Sequence, residues 1–405
     1  MTDNDFSRRR LLQMTAAGLA AAPWLARAAQ QSGSAVVAEG RPMPGGVTLP
    51  DEPPAAPAED SVGVAIVGLG GYSLNQMMPR FGQSKCHVAG LVSGNAQKAR
   101  RVAAAYGVPQ DAVYGYDNFA DIASDERIEA VYIALPTGLH AEYAVRAFAA
   151  GKHVLTEKPM ALSPAECQRM IDAARRADRK LMVAYRCHFE PYNLRAMELM
   201  REGAVGPIRN IRTTQTYAAG RTTPAENWRF NRALAGGGPL EDYGLYGLQS
   251  ALYLSGEMPE SVAAFTDQPA NDPRFEQIFA TTGTQLRFPS GAMAQLITSY
   301  DAANANQALV RGQAGELIMD PATNYSGQVM TLNRNGNTER LNPGDPTVQF
   351  VGQLDHFAEA VRQGTKIKTP GEMGLRDMRL IEAIYTAARE GRTLPLAQDG
   401  TIKSN

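Results

Sequence analysis

The stretch Val64-Ala65-Ile66-Val67-Gly68-Leu69-Gly70-Gly71-Tyr72-Ser73 constrains this chain more than any other. An apolar run ends in Gly-x-Gly, and Leu74-Asn75-Gln76-Met77-Met78 follows with helical character. A parallel strand that passes into a helix this way offers backbone N–H groups and a helix N-terminus to a pyrophosphate. Gly68 permits the tight turn, and Gly70 lets phosphates approach with no Cβ in the way. Ser73 stands where Gly or Ala is usual, so the helix–strand contact has to take a hydroxyl. Glycines alone mark only a turn; the alternation downstream makes them part of a dinucleotide fold.

That alternation runs from residue 63 to about 182. Apolar strands are expected at 64–67, 87–93, 130–134, 153–156 and 180–184, with helices over 74–81, 95–106, 141–150 and 164–177. Ser163 is a natural N-cap for the last of these. Short apolar strands alternating with helices read as a doubly wound parallel sheet. Past Tyr185 the texture changes. Segments 208–217, 261–264, 281–288, 292–300 and 307–312 look like strands of an antiparallel sheet, and helices over 350–363 and 374–390 close the chain. The fold class is therefore α/β: an N-terminal Rossmann sheet over 61–184, then a C-terminal α+β domain over 185–405 with a large, mostly antiparallel sheet. The last helices are free to pack back on the first domain.

The N-terminus carries a separate message. Ser7-Arg8-Arg9-Arg10-Leu11-Leu12, a short Ala-rich run and Ala26-Arg27-Ala28 form a twin-arginine export pattern with a small-residue cleavage site over 1–28. The apolar run is too short to span a bilayer. Residues 29–60 form a Gly/Ser/Ala stretch and a proline-rich arm, either a tether or an ordered segment that packs on another subunit. Export implies a periplasmic protein, carried folded, with no membrane attachment after cleavage. The formal net charge of −1 gives no footing for nucleic acid as a partner. The three cysteines, Cys86, Cys167 and Cys187, make neither a disulfide framework nor a metal-ligand spacing, and no metal is expected.

An NAD-binding unit places Asp or Glu at the end of the second strand, to accept from the ribose hydroxyls. Here that end reads Val92-Ser93-Gly94-Asn95, with Lys98, Arg100 and Arg101 on the next helix. A carboxylate would repel a 2′-phosphate, whereas the Ser93 hydroxyl and the Lys98 cation would bind it. The expected cofactor is NADP.

With these residues in place, the chain resembles the Gfo/Idh/MocA oxidoreductases, and within them the glucose–fructose oxidoreductase branch. The likeness runs through Gly40-Arg41-Pro42-Met43-Pro44, Leu91-Val92-Ser93-Gly94-Asn95 and Ala150-Gly151-Lys152-His153-Val154. It continues through Glu157-Lys158-Pro159-Met160, Tyr185-Arg186-Cys187-His188, Trp228-Arg229, Leu234-Ala235-Gly236-Gly237-Gly238 and Tyr246-Gly247-Leu248. The resemblance implies NADP bound tightly enough to stay through turnover. It also implies oxidation of an aldose at C1 to a lactone, then return of the hydride to a second sugar such as fructose. A homo-oligomer, dimer or tetramer, with exchanged N-terminal arms is implied as well. Cofactor contacts carry over to Gly68, Gly70, Gly71, Tyr72, Ser93 and Lys98 in the first two strand–helix units. Leu135, Pro136 and His140 follow in the next loop, then Glu157, Lys158, Arg186, Trp228 and Arg229. By residue chemistry alone His140 is a satisfied structural histidine. Gly71, Thr137-Gly138, Pro239 and Glu241 depart from the usual residues of the family.

The catalytic candidates are Lys158, Asp242 and Tyr246. Lys158 ends a strand at the carboxyl edge of the parallel sheet, where ligands of such folds bind. Asp242 and Tyr246 are four apart, so on an α-helix they share one face. A phenol with an ordinary pKa of about 10 is a poor base near neutrality, and the Lys158 ammonium is expected to bring it down. Two other activities fit the same residues: a nicotinamide-dependent glycosidase of the wider family, and an ordinary NADP-dependent sugar or polyol dehydrogenase. Glycosidases of this group use NAD, which the missing strand-end carboxylate disfavours.

Overall fold

A computed structural model describes residues 47–219 and 223–403. The twin-arginine segment and the first part of the arm lie outside the described residues. The first sheet has six parallel strands in the order β3-β2-β1-β4-β5-β6. They are β1 (Val62–Val67), β2 (Cys86–Val92), β3 (Val113–Tyr114), β4 (Ala130–Ile133), β5 (His153–Thr156) and β6 (Leu181–Val183). Every residue of β1 is buried, as a central strand covered on both faces requires.

The glycine turn after β1 leads into a π-helical segment, Ser73–Met77, which continues as α1 (Met78–Phe81). The Ser73 hydroxyl donates to Gly68 O at 2.6 Å, so the departure from Gly/Ala at this position is satisfied by the turn itself. α2 (Ala96–Tyr106) starts at Asn95, whose side chain accepts from Lys98 N, and stops at Gly107 in the left-handed region. α3 (His140–Ala149) and α4 (Pro164–Ala177) follow, the latter capped by Ser163. Between β1 and β4 the winding reverses, which leaves a crevice at their carboxyl ends.

The second sheet has nine strands in the order β14-β13-β12-β11-β7-β10-β9-β8-β15. α5 (Pro191–Arg201) precedes β7 (Ile208–Thr216), and α6 (Arg232–Ala235) and α7 (Leu245–Ser255) follow it. Next come β8 (Ser261–Asp267), β9 (Thr281–Arg287), β10 (Met293–Ser299), β11 (Ala305–Gly312), β12 (Gly315–Met319), β13 (Met330–Arg334) and β14 (Asn337–Leu341). The sheet is mixed: β7 and β10 pair in parallel, and the other pairs are antiparallel. The long connection carrying α6, α7 and the β8–β9 hairpin is the crossover that a parallel pair needs. Strands β12 to β14 were not read from the sequence, although Asn335-Gly336 marks their hairpin. Both residues have positive φ, as a two-residue turn of this hand demands.

α8 (Val348–Gln363) packs on β1, β2 and α1, while α9 (Gly371–Glu390) touches α4 and β6 as well as β8. The chain ends by adding β15 (Leu394–Pro395) beside β8. The described part of the arm lies on its own chain: Val47 and Leu49 are buried, and Pro53 and Pro54 lie against Gly107 and Gly82. The outer face of the second sheet stays open, with Phe265, Met293 and Ile297 exposed. None of the described helices is long and apolar enough to cross a membrane.

α7 approaches the inner face of this sheet closely because two positions lack a side chain. A Cβ at Gly247 would stand 2.5 Å from Thr213 Oγ1, and one at Gly244 2.9 Å from Thr298 Cγ2. Gly247→Val should therefore overpack this contact and lower the unfolding free energy by about 1–3 kcal/mol. The measurement is the midpoint of urea unfolding; an unmoved midpoint contradicts the close approach.

Candidate active site

A cavity of about 900 Å³ follows the crevice and extends under the second sheet. Gly68 is demanded by the protein itself: its φ is +100°, and a Cβ would meet Ala134 O at 2.6 Å. Gly70 is different. A Cβ there would meet nothing within 4 Å, and the residue lines the cavity, so the chain's own packing does not ask for glycine. A group held in the cavity does, which is what a phosphate cradle requires.

At the far end the wall is made by Ser93, Gly94, Asn95, Lys98 and Tyr116. No carboxylate lies among them. Lys98 is anchored by donating from Nζ to Leu69 O at 2.8 Å, while Arg100 and Arg101 do not line the cavity. The residues present fit an NAD(P) dinucleotide laid along the crevice, pyrophosphate at the glycines.

Gly71, Tyr72, Leu135, Pro136, Glu157, Arg186, Trp228 and Arg229 also line this cavity. His140 does not, which corrects its reading as a direct contact. Its ring is buried between Leu135 O, 2.8 Å from Nε2, and Pro159 O, 2.9 Å from Nδ1. Both ring nitrogens are used in tying the loop after β4 to the loop after β5.

Lys158 enters from the end of β5. Its Nζ donates to Asp242 O at 2.6 Å and to Asp242 Oδ1 at 3.1 Å, and lies 4.8 Å from the centre of the Tyr246 ring. Asp242 Oδ2 accepts from Arg229 Nε at 3.2 Å and from Tyr300 OH at 2.8 Å. Burial works against ionisation of Asp242, but Lys158, Arg229 and the Tyr300 hydroxyl outweigh it and hold the carboxyl well below the usual carboxylate range. Asp242 sits in a π-helical segment, Leu240–Gly244, and α7 begins only at Leu245. The expected α-helical spacing of Asp242 and Tyr246 is thus replaced by a wider turn, and the two side chains flank Lys158.

The expectation that Lys158 brings the Tyr246 phenol down is also corrected. Burial pushes Tyr246 well above its ordinary value, and the cation that opposes this is Arg186, whose Nε donates to the phenol oxygen at 3.1 Å. Two of the three Lys158 ammonium donors go to Asp242.

Several wall residues escaped the sequence reading. Tyr116 follows a strand of only two residues, too short to recognise. Tyr243 lies in the π-helical segment beside Asp242, and Tyr217, Tyr300, Asn306 and the segment Thr323-Asn324-Tyr325-Ser326 come from the second sheet and its loops, with no local motif to announce them.

Comparison with known proteins agrees with this fold. Residues 62–185 match a family model described as an oxidoreductase family with an NAD-binding Rossmann fold, and residues 193–318 match the GFO/IDH/MocA C-terminal domain. The D-xylose 1-dehydrogenase (NADP(+)) 2 of Haloferax volcanii is 30% identical over 338 residues, covering 82% of this chain and 98% of that protein. The chain belongs to the Gfo/Idh/MocA family. Another Gfo/Idh/MocA relative, an NADP(+)-dependent D-xylose 1-dehydrogenase of Haloarcula marismortui, is 28% identical across 87% of this chain and 98% of its own. Among solved structures, the aldose–aldose oxidoreductase of Caulobacter crescentus, complexed with glycerol, superposes with a TM-score of 0.80 at 42% identity. It covers 83% of this chain and 100% of its own. The protein is an oxidoreductase of this family, with a Rossmann domain that binds NAD(P).

Glu241, beside Asp242, points away from Lys158. Its carboxylate accepts from Gly237 N and from Tyr385 OH, each at 2.6 Å, and burial pushes its pKa up to about 7 from an ordinary 4.5. The unfolded chain therefore loses this proton before the folded one does. Glu241 should drain stability as pH rises from about 4.5 to about 7, with no further change above. Wild type and Glu241→Gln compared by chemical unfolding across this range should differ in slope; parallel curves would refute the assignment.

Proposed function

We propose that this enzyme keeps NADP as a resident cofactor, oxidises an aldose at C1 to a lactone, and passes the hydride to a second carbonyl sugar. The observation that carries the reading is the continuity of one cavity, from the glycine cradle and the carboxylate-free Ser93–Lys98 end to the Lys158–Asp242–Tyr246 cluster. The aldose–aldose oxidoreductase and the two NADP-dependent xylose dehydrogenases support sugars as substrates.

When bound, the nicotinamide supplies the site that takes and returns hydride. The chain's own residues handle the oxygen and its proton. Lys158 spends two donors on Asp242 and keeps a third for the sugar oxygen, where it stabilises developing charge. Asp242, held ionised by Lys158, Arg229 and Tyr300, keeps the Lys158 side chain aimed. Tyr246 exchanges the hydroxyl proton. Trp228, with the Arg229 guanidinium 4.6 Å from its ring centre, offers a flat face to the sugar or the nicotinamide.

Export fits a captive cofactor, because a periplasmic enzyme has no free nicotinamide pool to draw on. Ser7–Leu12 and Ala26-Arg27-Ala28 support that address. The open sheet face supports a homo-oligomer. Phe265 and Ile297 stand in register across Gly283, making an apolar row on β8–β10 that a second copy would cover. Phe265→Asp should shift sedimentation to a smaller species; a wild type already monomeric refutes the assembly.

The deciding experiment uses purified protein with no added nucleotide. NADP should be released on denaturation. Glucose should raise absorbance of reduced nicotinamide, and fructose should then remove it. Lys158→Met should keep the nucleotide and lose both steps. An ordinary dehydrogenase, as the xylose dehydrogenase relatives suggest, would come empty and turn over only with soluble NADP.

A further inference from the structure

Arg186 is buried, yet among the described residues no Asp or Glu forms an ion pair with it. Its Nη1 donates to Asn324 O at 3.1 Å and Gln349 Oε1 at 2.6 Å, and its Nη2 to Thr323 O. All three acceptors are neutral. The fourth is Tyr246 OH, and the guanidinium carbon also lies 4.6 Å from the centre of that ring and 4.7 Å from that of Tyr325. A guanidinium does not shed its proton when buried, so its charge calls for a counter-ion. The buried Glu190 acts on it through space only, its carboxyl being taken up by Tyr192 N, Asn193 N and Asn193 Nδ2. Only one of its hydrogen-bond partners is an acid.

We propose that Arg186 is the counter-ion of the Tyr246 phenolate and thereby sets the acidity of the group that exchanges the sugar proton. The two cations at the centre have separate duties: Lys158 answers to Asp242 and the substrate oxygen, Arg186 to Tyr246. In the oxidation half-reaction the sugar O–H bond breaks and a Tyr246 O–H bond forms, turning phenolate into phenol. Reduction runs the same transfer backwards, and no electron moves in this step. Arg186 acts through Tyr246 and is a positioning residue. The other groups facing the phenol are Lys158, Cys187, Glu157, Tyr72 and Tyr325. Glu157 works against the phenolate, and Arg186, the cation bonded to the phenol oxygen, works for it.

This inference rests on the acid–base role given to Tyr246 above, and the test separates the two. Holoproteins of wild type, Arg186→Met, Gln349→Leu and Tyr246→Phe are mixed with glucose, and single-turnover reduction of bound nucleotide is followed across pH. Arg186→Met should move the pH midpoint of the rate upward by at least about one unit, with at least about tenfold loss below it. Gln349→Leu loosens the same loop without touching the charge and should leave the midpoint in place. The tyrosinate absorbance titration, taken as the component lost in Tyr246→Phe, should shift with the kinetic midpoint. An unmoved midpoint in Arg186→Met overturns the proposal. A Tyr246→Phe variant that keeps the wild-type profile overturns the role of Tyr246, and this inference with it. If Arg186→Met does not fold, Arg186→Lys decides: a smaller shift in the same direction supports the proposal, and none overturns it.

Discussion

The contact between Lys158 and Asp242 holds the functional structure together. One partner ends β5 of the parallel sheet, and the other sits in the π-helical segment that introduces α7 of the second domain. Each charge would be costly in this half-buried cleft on its own. Paired, and completed by Arg229 and Tyr300, they become a fixed dipolar unit at the floor of the cavity. The pairing therefore registers the two domains against each other and fixes the lysine side chain in the wall of the cavity.

The rest of the second domain serves this placement. Gly244 and Gly247 let α7 lie close on a sheet face lined with Thr213 and Thr298, so Tyr246 is carried by a helix with little room to shift. Glu241 ties the Gly236–Gly238 loop to α9 on the other side of Asp242. Arg186, leaving β6 at the domain boundary, draws in the Thr323–Asn324 carbonyls and gives the cavity its third wall. Two cations 4.6–4.8 Å from one tyrosine ring coexist because each has a different set of acceptors.

The glycine turn, the alternation of strands and helices, the strand-end chemistry at Ser93 and the lysine after β5 were legible because each depends on neighbours in sequence. So was the existence of a second, sheet-based domain. Its extent was not. Strands β12 to β14 are five residues each, too short for their pattern to stand out, and Asn335-Gly336 marks only the last hairpin. The parallel pairing of β7 with β10 depends on a crossover of some length, which local pattern does not reveal.

By itself the sequence determined the nucleotide fold, its family and the identity of Lys158, Asp242 and Tyr246 as candidates, since periodicity, glycine geometry and motif spacing are local properties. The tertiary structure alone decided which charge answers which: Lys158 to Asp242, Arg186 to Tyr246, and His140 to two backbone carbonyls instead of a ligand. Electrostatic partnership depends on distance and burial in three dimensions, and residues 60 to 140 positions apart in the chain carry no local trace of it.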